Sequence, residues 1–472
     1  MAEFTLTEVL QALPQAKVLQ KQGDKFDNIT TDTRKITPGA LFVALKGERF
    51  NGEDFAAKAV EAGATGVLVS SSYQSAIVPG LLSYQGPVDL PATIIQAVSD
   101  TQLAYQQLAG FWRQKFQIPV IAITGSNGKT TTKDMTASVL SAKFPVLKTQ
   151  ANFNNEIGLP YTLLQLNDLH QAAVVEIGMR GLNQISALAP FAAPSIGIVT
   201  NVGETHIELL GSIENIAKAK SELVEAIPAG GTVILNNDNP YTAAMRDKAA
   251  QGVKIITFGI DKDADIKADN LVSNDNSTTF QCRIGNDGPL CQMTIPMLGK
   301  HNVSNALAAV AAGYCLGLEP QEIARGLSEL HMTGMRFECR KLGDYNIIND
   351  AYNASPMSME ASLSTLQELT VTKGKRAIAV LGDMLELGHV AVAAHRKVGQ
   401  QAVEAGVACV ITLGEMGREI AAGAKEAGLE QVYACDTHQQ AADRLKDLLK
   451  PGDTVLFKGS RGMAMEKIID LI

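Results

Sequence analysis

The sequence lacks several features that would assign it to a specialised class of protein. Its six cysteines include no Cys-x-x-Cys pair, so a zinc site is not expected, and scattered cysteines fit buried thiols in a reducing compartment. No basic segment followed by an apolar core stands near the N-terminus, so we expect no secretory signal. The longest apolar run, 306–318, contains glycine and is shorter than the roughly 20 residues that span a bilayer. We therefore expect a cytoplasmic protein with no membrane partner.

An excess of positive charge is also missing. The formal net charge is -8, with 41 lysines and arginines against 49 aspartates and glutamates, so the chain offers no general attraction to nucleic acid or anionic lipid. Hydrophobic residues make up 46% and charged residues 19% of the sequence, which is typical of a folded globular protein. Nothing in the sequence demands more than a monomer.

Apolar runs of strand length alternate with helix-like stretches over most of the chain. The strands with the clearest patterns are predicted at 120–123, 232–236 and 454–458, and a helix is predicted from Thr131. Such alternation predicts parallel strands covered by helices on both faces.

The length of 472 residues suggests roughly three domains of about 150 residues each. We predict an α/β protein with a small N-terminal α/β domain over 1–97. A central phosphate-loop ATPase-like domain with a mostly parallel sheet follows over 98–332. The pattern then restarts as a Rossmann-like C-terminal domain over 333–472.

Residues 118–132 read Ile-Pro-Val-Ile-Ala-Ile-Thr-Gly-Ser-Asn-Gly-Lys-Thr-Thr-Thr, an apolar strand followed by a glycine turn. This pattern is typical of a phosphate-binding loop, in which Lys129 reaches the outer phosphates and the Thr130 hydroxyl holds Mg²⁺. The general G-x-x-x-x-G-K-T pattern would place a glycine at Ile123, so the motif is a shortened variant. A simple glycine turn with a capping threonine is the alternative. The predicted phosphate-contacting residues are Thr124, Gly125, Ser126, Asn127, Gly128, Lys129, Thr130 and Thr131.

Polar residues follow two of the predicted central strands. Glu176 closes an apolar strand, where an ionised carboxylate is costly unless it is paired or bound to a cation. His206 lies in the loop after the next strand. Because ligands collect at the carboxyl ends of strands in open α/β sheets, these residues suggest Mg²⁺ or Mn²⁺ held between nucleotide and protein. Taken alone, His206 fits an ordinary loop histidine better than a ligand.

Lys220 is the most informative single residue. In the helical pattern of 212–224 it falls four residues after Ile216 and three before Leu223, which places it on the apolar stripe. Lys218 points elsewhere. A lysine on a buried face extends its ammonium to water, pairs with an acid, loses its proton or is chemically changed. The pattern alone leaves these four possibilities open.

Another group of polar residues spans the end of the central region and the start of the next. Asn302 and Asn305 lie one helical turn apart, and their amides would suit a purine edge. Arg336 would meet phosphate, and Asp350, at the end of another apolar strand, would accept from ribose hydroxyls. Each is a weak signal by itself.

Two polar loops of the N-terminal region carry Thr31, Asp32, Arg34, Lys46 and Arg49. These residues would grip a nucleotide or a sugar phosphate. Solvated surface charge explains them equally well on composition alone.

Together these segments resemble the Mur ligase family, ATP-dependent enzymes that extend the peptide of the cell-wall precursor, over essentially the whole chain. Thr-Gly-Ser-Asn-Gly-Lys-Thr looks like the family's shortened phosphate loop, and Gly-Lys-His-Asn-Val-Ser-Asn-Ala looks like its adenine-binding segment. The resemblance implies that Lys129, Glu176, His206 and Lys220 are catalytic. It also implies that Thr130, Glu176, His206 and Lys220 hold magnesium, with Lys220 carbamylated by CO₂. The ATP contacts implied outside the loop are Asn302, Asn305, Arg336 and Asp350.

The outer segments narrow the resemblance within the family. Asp-Ala-Tyr-Asn-Ala-Ser-Pro, Leu-Gly-Asp-Met-Leu-Glu-Leu-Gly and Lys-Gly-Ser-Arg-Gly-Met-Ala-Met-Glu look closest to the member that joins D-alanyl-D-alanine to UDP-N-acetylmuramoyl-tripeptide. The resemblance implies ATP, two Mg²⁺ ions and CO₂ as a lysine carbamate. It also implies a role in peptidoglycan synthesis, and hence in cell shape and division. The implied substrate-binding residues are Thr31, Asp32, Thr33, Arg34, Lys46, Asn51, Asn154, Asn155, Tyr352, Asn353 and Ser355.

Two other functions stay open from the sequence. A ligase that adds glutamates to folate would share the chemistry but would need a pterin pocket and would have no use for a UDP-binding domain. A nucleotide-gated switch would use the phosphate loop with a macromolecular partner and without an amine acceptor.

Overall fold

A computed structural model describes residues 2–47, 50–71, 92–96, 100–274, 276–285, 288–330 and 337–472 of the chain. The strands of this part are β1 (Phe4–Thr5), β2 (Lys17–Gln20), β3 (Lys25–Phe26), β4 (Asn28–Thr30), β5 (Ala40–Val43), β6 (Gly66–Val69), β7 (Thr93–Gln96), β8 (Val120–Thr124), β9 (Val146–Lys148), β10 (Ala172–Glu176), β11 (Ile196–Val199), β12 (Thr232–Asn236), β13 (Lys254–Gly259), β14 (Ile266–Ser273), β15 (Thr278–Ile284), β16 (Leu290–Ile295), β17 (Glu338–Leu342), β18 (Tyr345–Asp350), β19 (Ala377–Gly382), β20 (Cys409–Leu413), β21 (Val432–Cys435) and β22 (Thr454–Lys458).

The α-helices in the same ranges are α1 (Leu6–Ala12), α2 (Ala56–Glu61), α3 (Thr101–Gln114), α4 (Lys129–Ser141), α5 (Gly158–Leu163), α6 (Gln184–Ala192), α7 (Ile207–Leu210), α8 (Ile213–Glu225), α9 (Pro240–Ala244), α10 (Lys300–Cys315), α11 (Pro320–Ser328), α12 (Pro356–Leu369), α13 (Ala391–Glu404), α14 (Gly417–Glu426), α15 (His438–Leu448) and α16 (Glu466–Asp470).

The described strands form three large sheets and one short pair. A five-stranded sheet has the order β2-β7-β6-β5-β4, a nine-stranded sheet the order β16-β15-β14-β13-β12-β11-β8-β10-β9, and a six-stranded sheet the order β17-β18-β22-β19-β20-β21. In the nine-stranded sheet β11, β12 and β13 pair in parallel, with Ile198 opposite Ile234, whereas β14, β15 and β16 pair antiparallel. The predicted α/β class with a mostly parallel central sheet is confirmed.

The chain divides into two compact units. The first consists of Met1–Ala122, Phe144–Ile177 and Ser186–Ser195, and the second of Ile123–Lys143, Gly178–Ile185 and Ile196–Ile472. The predicted domain boundaries at 97/98 and 332/333 fall at residues outside the described ranges and stay predictions.

In the first unit, the five-stranded sheet packs its apolar face on a helix. Phe42 and Val67 of the sheet contact Ala56 and Ala59 of α2 in one buried cluster. Trp112 of α3 is also buried, and its indole Nε1 donates a hydrogen bond to a carbonyl oxygen 3.0 Å away. Trp112 therefore has a packing role.

In the second unit, helix α4 is held closely by two neighbouring helices. A Cβ added to Gly326 of α11 would lie 2.5 Å from Val139 Cα, and one added to Gly313 of α10 would lie 2.8 Å from Val139 Cγ1. Ser138 Oγ also donates to the Gly326 carbonyl at 2.7 Å. Because α4 begins directly after the glycine turn, these contacts fix the position of that turn.

The predicted strands at 232–236 and 454–458 are confirmed to the residue. Helix α4 begins at Lys129, two residues before its predicted start. The reason is that Gly128, with φ 79°, completes the turn by itself, so the next residue already has helical geometry.

The expectation of buried thiols holds only in part. All six cysteines are free, and Cys282, Cys409 and Cys435 are buried, but Cys291 and Cys315 are half-buried and Cys339 is exposed. Cys339 lies on β17, the edge strand of its sheet, which explains its exposure. Among the described residues, no helix has both the length and the apolar character needed to cross a bilayer.

Gly326→Ala tests the packing of α4. Alanine normally stabilises a helix interior relative to glycine by about 1 kcal/mol. Here the added methyl group would overlap the backbone of Val139, so we expect the apparent Tm to fall by roughly 2–8 °C, measured by circular dichroism. Gln321→Ala, at an exposed position of the same helix, is the control and should not lower the Tm. A Tm for Gly326→Ala at or above that of the wild type would contradict the close packing.

Candidate active site

The glycine turn after β8 has the geometry of an anion-binding loop. Gly125 has φ 149° and Gly128 has φ 79°, values that favour glycine. A Cβ at Gly128 would overlap Asn305 Oδ1, and one at Gly125 would overlap Thr200 Oγ1. Lys129 opens helix α4, and its Nζ donates to the Gly125 carbonyl at 2.8 Å. The helix N-terminus and this ammonium together suit a phosphate group.

Residues that follow β11 hold the loop in place. Asn201 Oδ1 accepts from the Asn127 N–H at 2.9 Å, and Asn201 Nδ2 donates to the Asn127 carbonyl at 3.0 Å. Thr200 Oγ1 donates to the same carbonyl at 2.6 Å. Ser126 Oγ donates to the Gly203 carbonyl and accepts from the Gly203 N–H. Sequence reasoning missed Thr200, Asn201 and Gly203; a polar pair directly after a buried strand was the available signal.

The two predicted purine-reading amides lie against the loop. Asn305 Oδ1 accepts from Thr132 Oγ1 at 3.3 Å, and Asn305 Nδ2 donates to Asn302 Oδ1 at 3.2 Å. Asn302 Nδ2 donates to the Leu298 carbonyl at 2.8 Å. Both side chains are buried and serve the protein's own hydrogen-bond network. Their predicted contact with a purine stays a prediction.

Asp350 ends β18 as predicted and is paired with a buried lysine. Lys458 Nζ donates to Asp350 Oδ2 at 2.6 Å, and Ser362 Oγ donates to the same oxygen at 2.6 Å. Lys458 is only 2% exposed. Sequence reasoning did not predict Lys458 as the partner of Asp350, although Lys458 is the first residue of one of the motifs that carry the family resemblance. Burial lowers the pKa of the neighbouring His301 to about 4. Arg336 lies outside the described residues.

Ser355 connects the start of helix α12 to the phosphate loop. Its Oγ donates to Asn127 Oδ1 at 2.8 Å and accepts from the Ser358 N–H as the N-cap of α12. Among the other predicted substrate residues of this segment, Tyr352 is half-buried and Asn353 is exposed. The structure therefore brings Ser355 to the phosphate loop, whereas Asn353 Oδ1 accepts from the Ala354 N–H at 2.9 Å.

Lys220 lies on the buried face of α8, and Lys218 is exposed, as predicted. Lys220 is 2% exposed, and its amine makes no hydrogen bond or ion pair to any residue that the structure describes. Burial, followed by the positive charge of Lys129, lowers the pKa of Lys220 well below its ordinary value. A lower pKa increases the fraction of neutral amine, which is the nucleophilic form of the side chain.

His206 precedes helix α7 with φ 59°, in the left-handed region that non-glycine residues rarely adopt. Its ring Nδ1 contacts the carboxylate of Glu386. Burial lowers the pKa of His206; the Glu386 carboxylate opposes this shift, and the charges of Lys129 and Lys220 add to it. Lys129, His206 and Lys220 thus share one electrostatic environment in the second unit. Glu386 was not predicted as a site residue.

In the first unit, Glu176 is 1% exposed at the end of β10. Its Oε1 accepts from Asn154 Nδ2 at 2.7 Å, and its backbone N–H donates to Thr149 Oγ1 at 3.1 Å. Asn155 Oδ1 accepts from the Gly158 N–H at 2.9 Å, at the start of α5. The predicted Asn154 and Glu176 are therefore direct neighbours.

The N-terminal candidates are largely engaged with one another. Asp32 Oδ1 and Oδ2 accept from Arg34 Nε at 2.9 Å and Nη2 at 2.8 Å, and these bonds lower the pKa of Asp32 to about 2. Thr31 is half-buried and Thr33 is the first residue of the short helix that Asp32 caps. Lys46 and Asn51 form an antiparallel bridge, which joins the two ends of the second predicted loop. Arg49 of that loop lies outside the described residues.

Within the described ranges, no group of three or more His, Cys, Asp and Glu side chains is arranged to hold a metal. Of the predicted magnesium ligands only Glu176 and His206 belong to these residue types. The search covered His, Cys, Asp and Glu side chains only, so Thr130 and Lys220 as metal ligands stay predictions. Oxygen ligands and one imidazole suit a hard divalent cation.

The loop, its helix and the buried basic side chains define a nucleotide-phosphate-binding protein of the α/β class. Family models match the chain in three successive parts: the Mur ligase family, catalytic domain, over 25–109; the Mur ligase middle domain over 123–313; and the Mur ligase, glutamate ligase domain, over 335–461. The chain belongs to the Mur ligase family.

Individual relatives match over almost their whole length. The chain is 40% identical over 447 residues to the UDP-N-acetylmuramoyl-tripeptide--D-alanyl-D-alanine ligase of Bacillus subtilis, covering 94% of this chain and 93% of that protein. A crystal structure of MurF from Acinetobacter baumannii superposes with a TM-score of 0.87 at 31% identity, covering 99% and 98% of the two chains. MurF from Thermotoga maritima, solved in complex with ADP, shares the fold with a TM-score of 0.79 at 24% identity, covering 94% and 96%.

Asn201→Ala tests the bracing of the loop. The substitution removes two hydrogen bonds to Asn127, each contributing about 0.5–1.5 kcal/mol, so we expect ADP affinity to fall about tenfold, measured by calorimetry. Asn237→Ala is the control, because Asn237 is a half-buried asparagine directly after β12 whose Nδ2 donates to the Asp263 carbonyl instead. Equal ADP affinity of the two variants would show that the brace does not shape the nucleotide site.

Proposed function

We propose that this chain is an ATP-dependent ligase that joins D-alanyl-D-alanine to UDP-N-acetylmuramoyl-tripeptide, giving ADP and phosphate in peptidoglycan precursor synthesis. The observation that carries the proposal is the 40% identity to the Bacillus subtilis ligase across 94% of this chain. The braced phosphate loop supplies the physical reason for the use of ATP.

The reaction needs ATP because a carboxylate is a poor electrophile. The terminal carboxylate of the tripeptide attacks the γ-phosphorus of ATP, and ADP leaves with the electrons of the broken P–O bond. The amine of D-alanyl-D-alanine then attacks the acyl phosphate carbon through a tetrahedral intermediate. Phosphate departs, the amine loses its proton and the amide remains.

Lys129 and the N-terminus of α4 bind the phosphates and stabilise the negative charge that develops on them. The ATP contacts that we propose outside the loop are Asn302, Asn305, Arg336 and Asp350. The magnesium ligands that we propose are Thr130, Glu176, His206 and Lys220. Bound Mg²⁺, as one or two ions, would neutralise phosphate charge during transfer.

Lys220 fits this ligand set only after modification, because an ammonium repels a cation. Its amine nitrogen attacks CO₂, a proton leaves, and the resulting carbamate carries a negative charge on two oxygens. The proposal is supported by a buried amine that has no partner among the described residues and whose pKa is lowered by burial and by Lys129. An unpaired buried ammonium would be costly, and carbamylation removes that cost when a metal is bound.

Lys220→Ala should lower kcat by roughly 10²–10³-fold, the usual loss when one electrostatic group of an active site is removed. Acetate or formate added to this variant should restore part of the activity, because either anion could occupy the place of the carbamate. The exposed Lys218 gives the matched control, and Lys218→Ala should retain wild-type turnover. Full activity of Lys220→Ala without added anions would sink the carbamate proposal.

The UDP-linked substrate would be held by the N-terminal region and by two later segments. We propose contacts from Thr31, Asp32, Thr33, Arg34, Lys46, Asn51, Asn154, Asn155, Tyr352, Asn353 and Ser355. The Asp32–Arg34 pair supports this role in one respect: a guanidinium already oriented by a carboxylate loses less freedom when it binds phosphate. We also propose that the protein is a cytoplasmic monomer that contributes to cell shape and division through cell-wall synthesis.

Phosphate release separates this function from the alternatives. With ATP and UDP-N-acetylmuramoyl-tripeptide present, adding D-alanyl-D-alanine should raise the rate of phosphate release and yield the UDP-linked pentapeptide, detected by mass spectrometry. A folate-extending ligase would respond to folate and glutamate instead, and a nucleotide switch would release phosphate without any amine acceptor. UDP alone should raise the Tm, because the proposed substrate carries a UDP group.

A further inference from the structure

Two non-glycine residues in left-handed backbone geometry contact each other through their side chains. His206 has φ 59° and Glu386 has φ 62°, a region that residues with a Cβ rarely adopt. The ring Nδ1 of His206 contacts Glu386 Oε2. The backbone supports the same contact, since the Glu208 N–H donates to the Glu386 carbonyl at 3.2 Å. Such conformations persist where the surrounding structure enforces them, and they often have a functional reason.

Hydrogen bonds hold each of the three residues that precede Glu386. Asp383 Oδ1 accepts from the Gly417 N–H at 2.6 Å. The Met384 N–H donates to His395 Nε2 at 2.8 Å, and the Leu385 N–H donates to Ser460 Oγ at 2.9 Å. His395 and Ser460 are themselves buried. The backbone that leads into Glu386 is therefore held by the fold, and the contact with His206 orients the carboxylate.

We propose that Glu386 is a positioning residue that holds His206 in the orientation and tautomer needed to bind Mg²⁺. The carboxylate accepts a hydrogen bond from the Nδ1–H group, so the lone pair of the neutral ring lies on Nε2. A histidine that binds a metal commonly donates its other ring N–H to a carboxylate in this way. The inference rests on the proposed function, because it assumes that His206 is a metal ligand.

The contact also connects two parts of the chain. His206 lies in the range matched by the Mur ligase middle domain, and Glu386 lies in the range matched by the glutamate ligase domain. The orientation of a metal ligand in the first range thus depends on a side chain from the second. Metal binding and the placement of this C-terminal segment should stabilise each other, since linkage is reciprocal.

The test measures the ring state without metal and the metal affinity separately. In full-length protein labelled with ¹⁵N at its seven histidines, the His206 signals are assigned by their absence in His206→Ala. We expect Nδ1 protonated and Nε2 unprotonated in the wild type, and a tautomer mixture in Glu386→Ala. Mn²⁺ affinity, measured by electron paramagnetic resonance, should fall about 10–100-fold in Glu386→Ala.

Two further variants separate positioning from other roles. Glu386→Gln keeps an oxygen acceptor and should retain the Nδ1–H tautomer and most of the Mn²⁺ affinity, which loss of a direct ligand or of a negative charge would not allow. Glu208→Ala removes an exposed carboxylate two residues from His206 and should change neither readout. Glu386→Leu, close in volume and without an acceptor, replaces Glu386→Ala if that variant fails to fold.

The outcomes distinguish this inference from the function on which it rests. Loss of Mn²⁺ binding in His206→Ala together with wild-type tautomer and affinity in Glu386→Ala would overturn the inference and leave the metal site standing. Unchanged Mn²⁺ affinity in His206→Ala would overturn the proposed metal site and the metal-binding part of the inference, whatever tautomer Glu386→Ala shows.

Discussion

The paired hydrogen bonds between the backbone of Asn127 and the side chain of Asn201 hold the loop on which the rest of the site depends. A loop built from glycines gains the freedom to face its N–H groups toward an anion, but that freedom costs conformational entropy on folding. The bonds from Thr200 and Asn201 remove this freedom before a nucleotide arrives. The loop therefore does not need to be ordered by its ligand, and binding energy is not spent on ordering it.

The charge of Lys129 acts on the other basic groups of the second unit. Its ammonium is held by the loop's own Gly125 carbonyl. Burial first, and then the positive charge of Lys129, lowers the pKa of both His206 and Lys220. Both effects favour the neutral forms of these two side chains, because a buried charge next to a like charge is unfavourable. Lys129 is therefore the cation of this group that suits a phosphate.

Residues after 337 supply much of the support for this site. Ser355 reaches Asn127, Lys458 pairs with Asp350, and Glu386 reaches His206. Each of the three contacts joins residues more than one hundred positions apart in the sequence. In the proposed reaction water competes with the amine for the acyl phosphate carbon, so contacts that keep the site ordered and exclude water would protect this intermediate.

Local sequence determined much of the site and of the fold. The phosphate loop, the strands at 232–236 and 454–458, and the inward face of Lys220 follow from residue order alone, because turn geometry and helical or strand periodicity are properties of a few consecutive residues. The exposure of Lys218 beside the burial of Lys220 shows how reliable that periodicity is on α8.

Only the tertiary structure decided which residues support those groups. Thr200 and Asn201 form hydrogen bonds to Asn127, and Asn305 forms hydrogen bonds to Asn302 and Thr132. These contacts form because sheet order and helix packing bring together side chains that are distant in sequence. The residues around Glu386 do not predict its contact with His206, which lies 180 positions earlier in the sequence. Sequence periodicity predicts the direction in which a side chain points from its own helix or strand. It does not predict which other helix or strand that side chain will pack against.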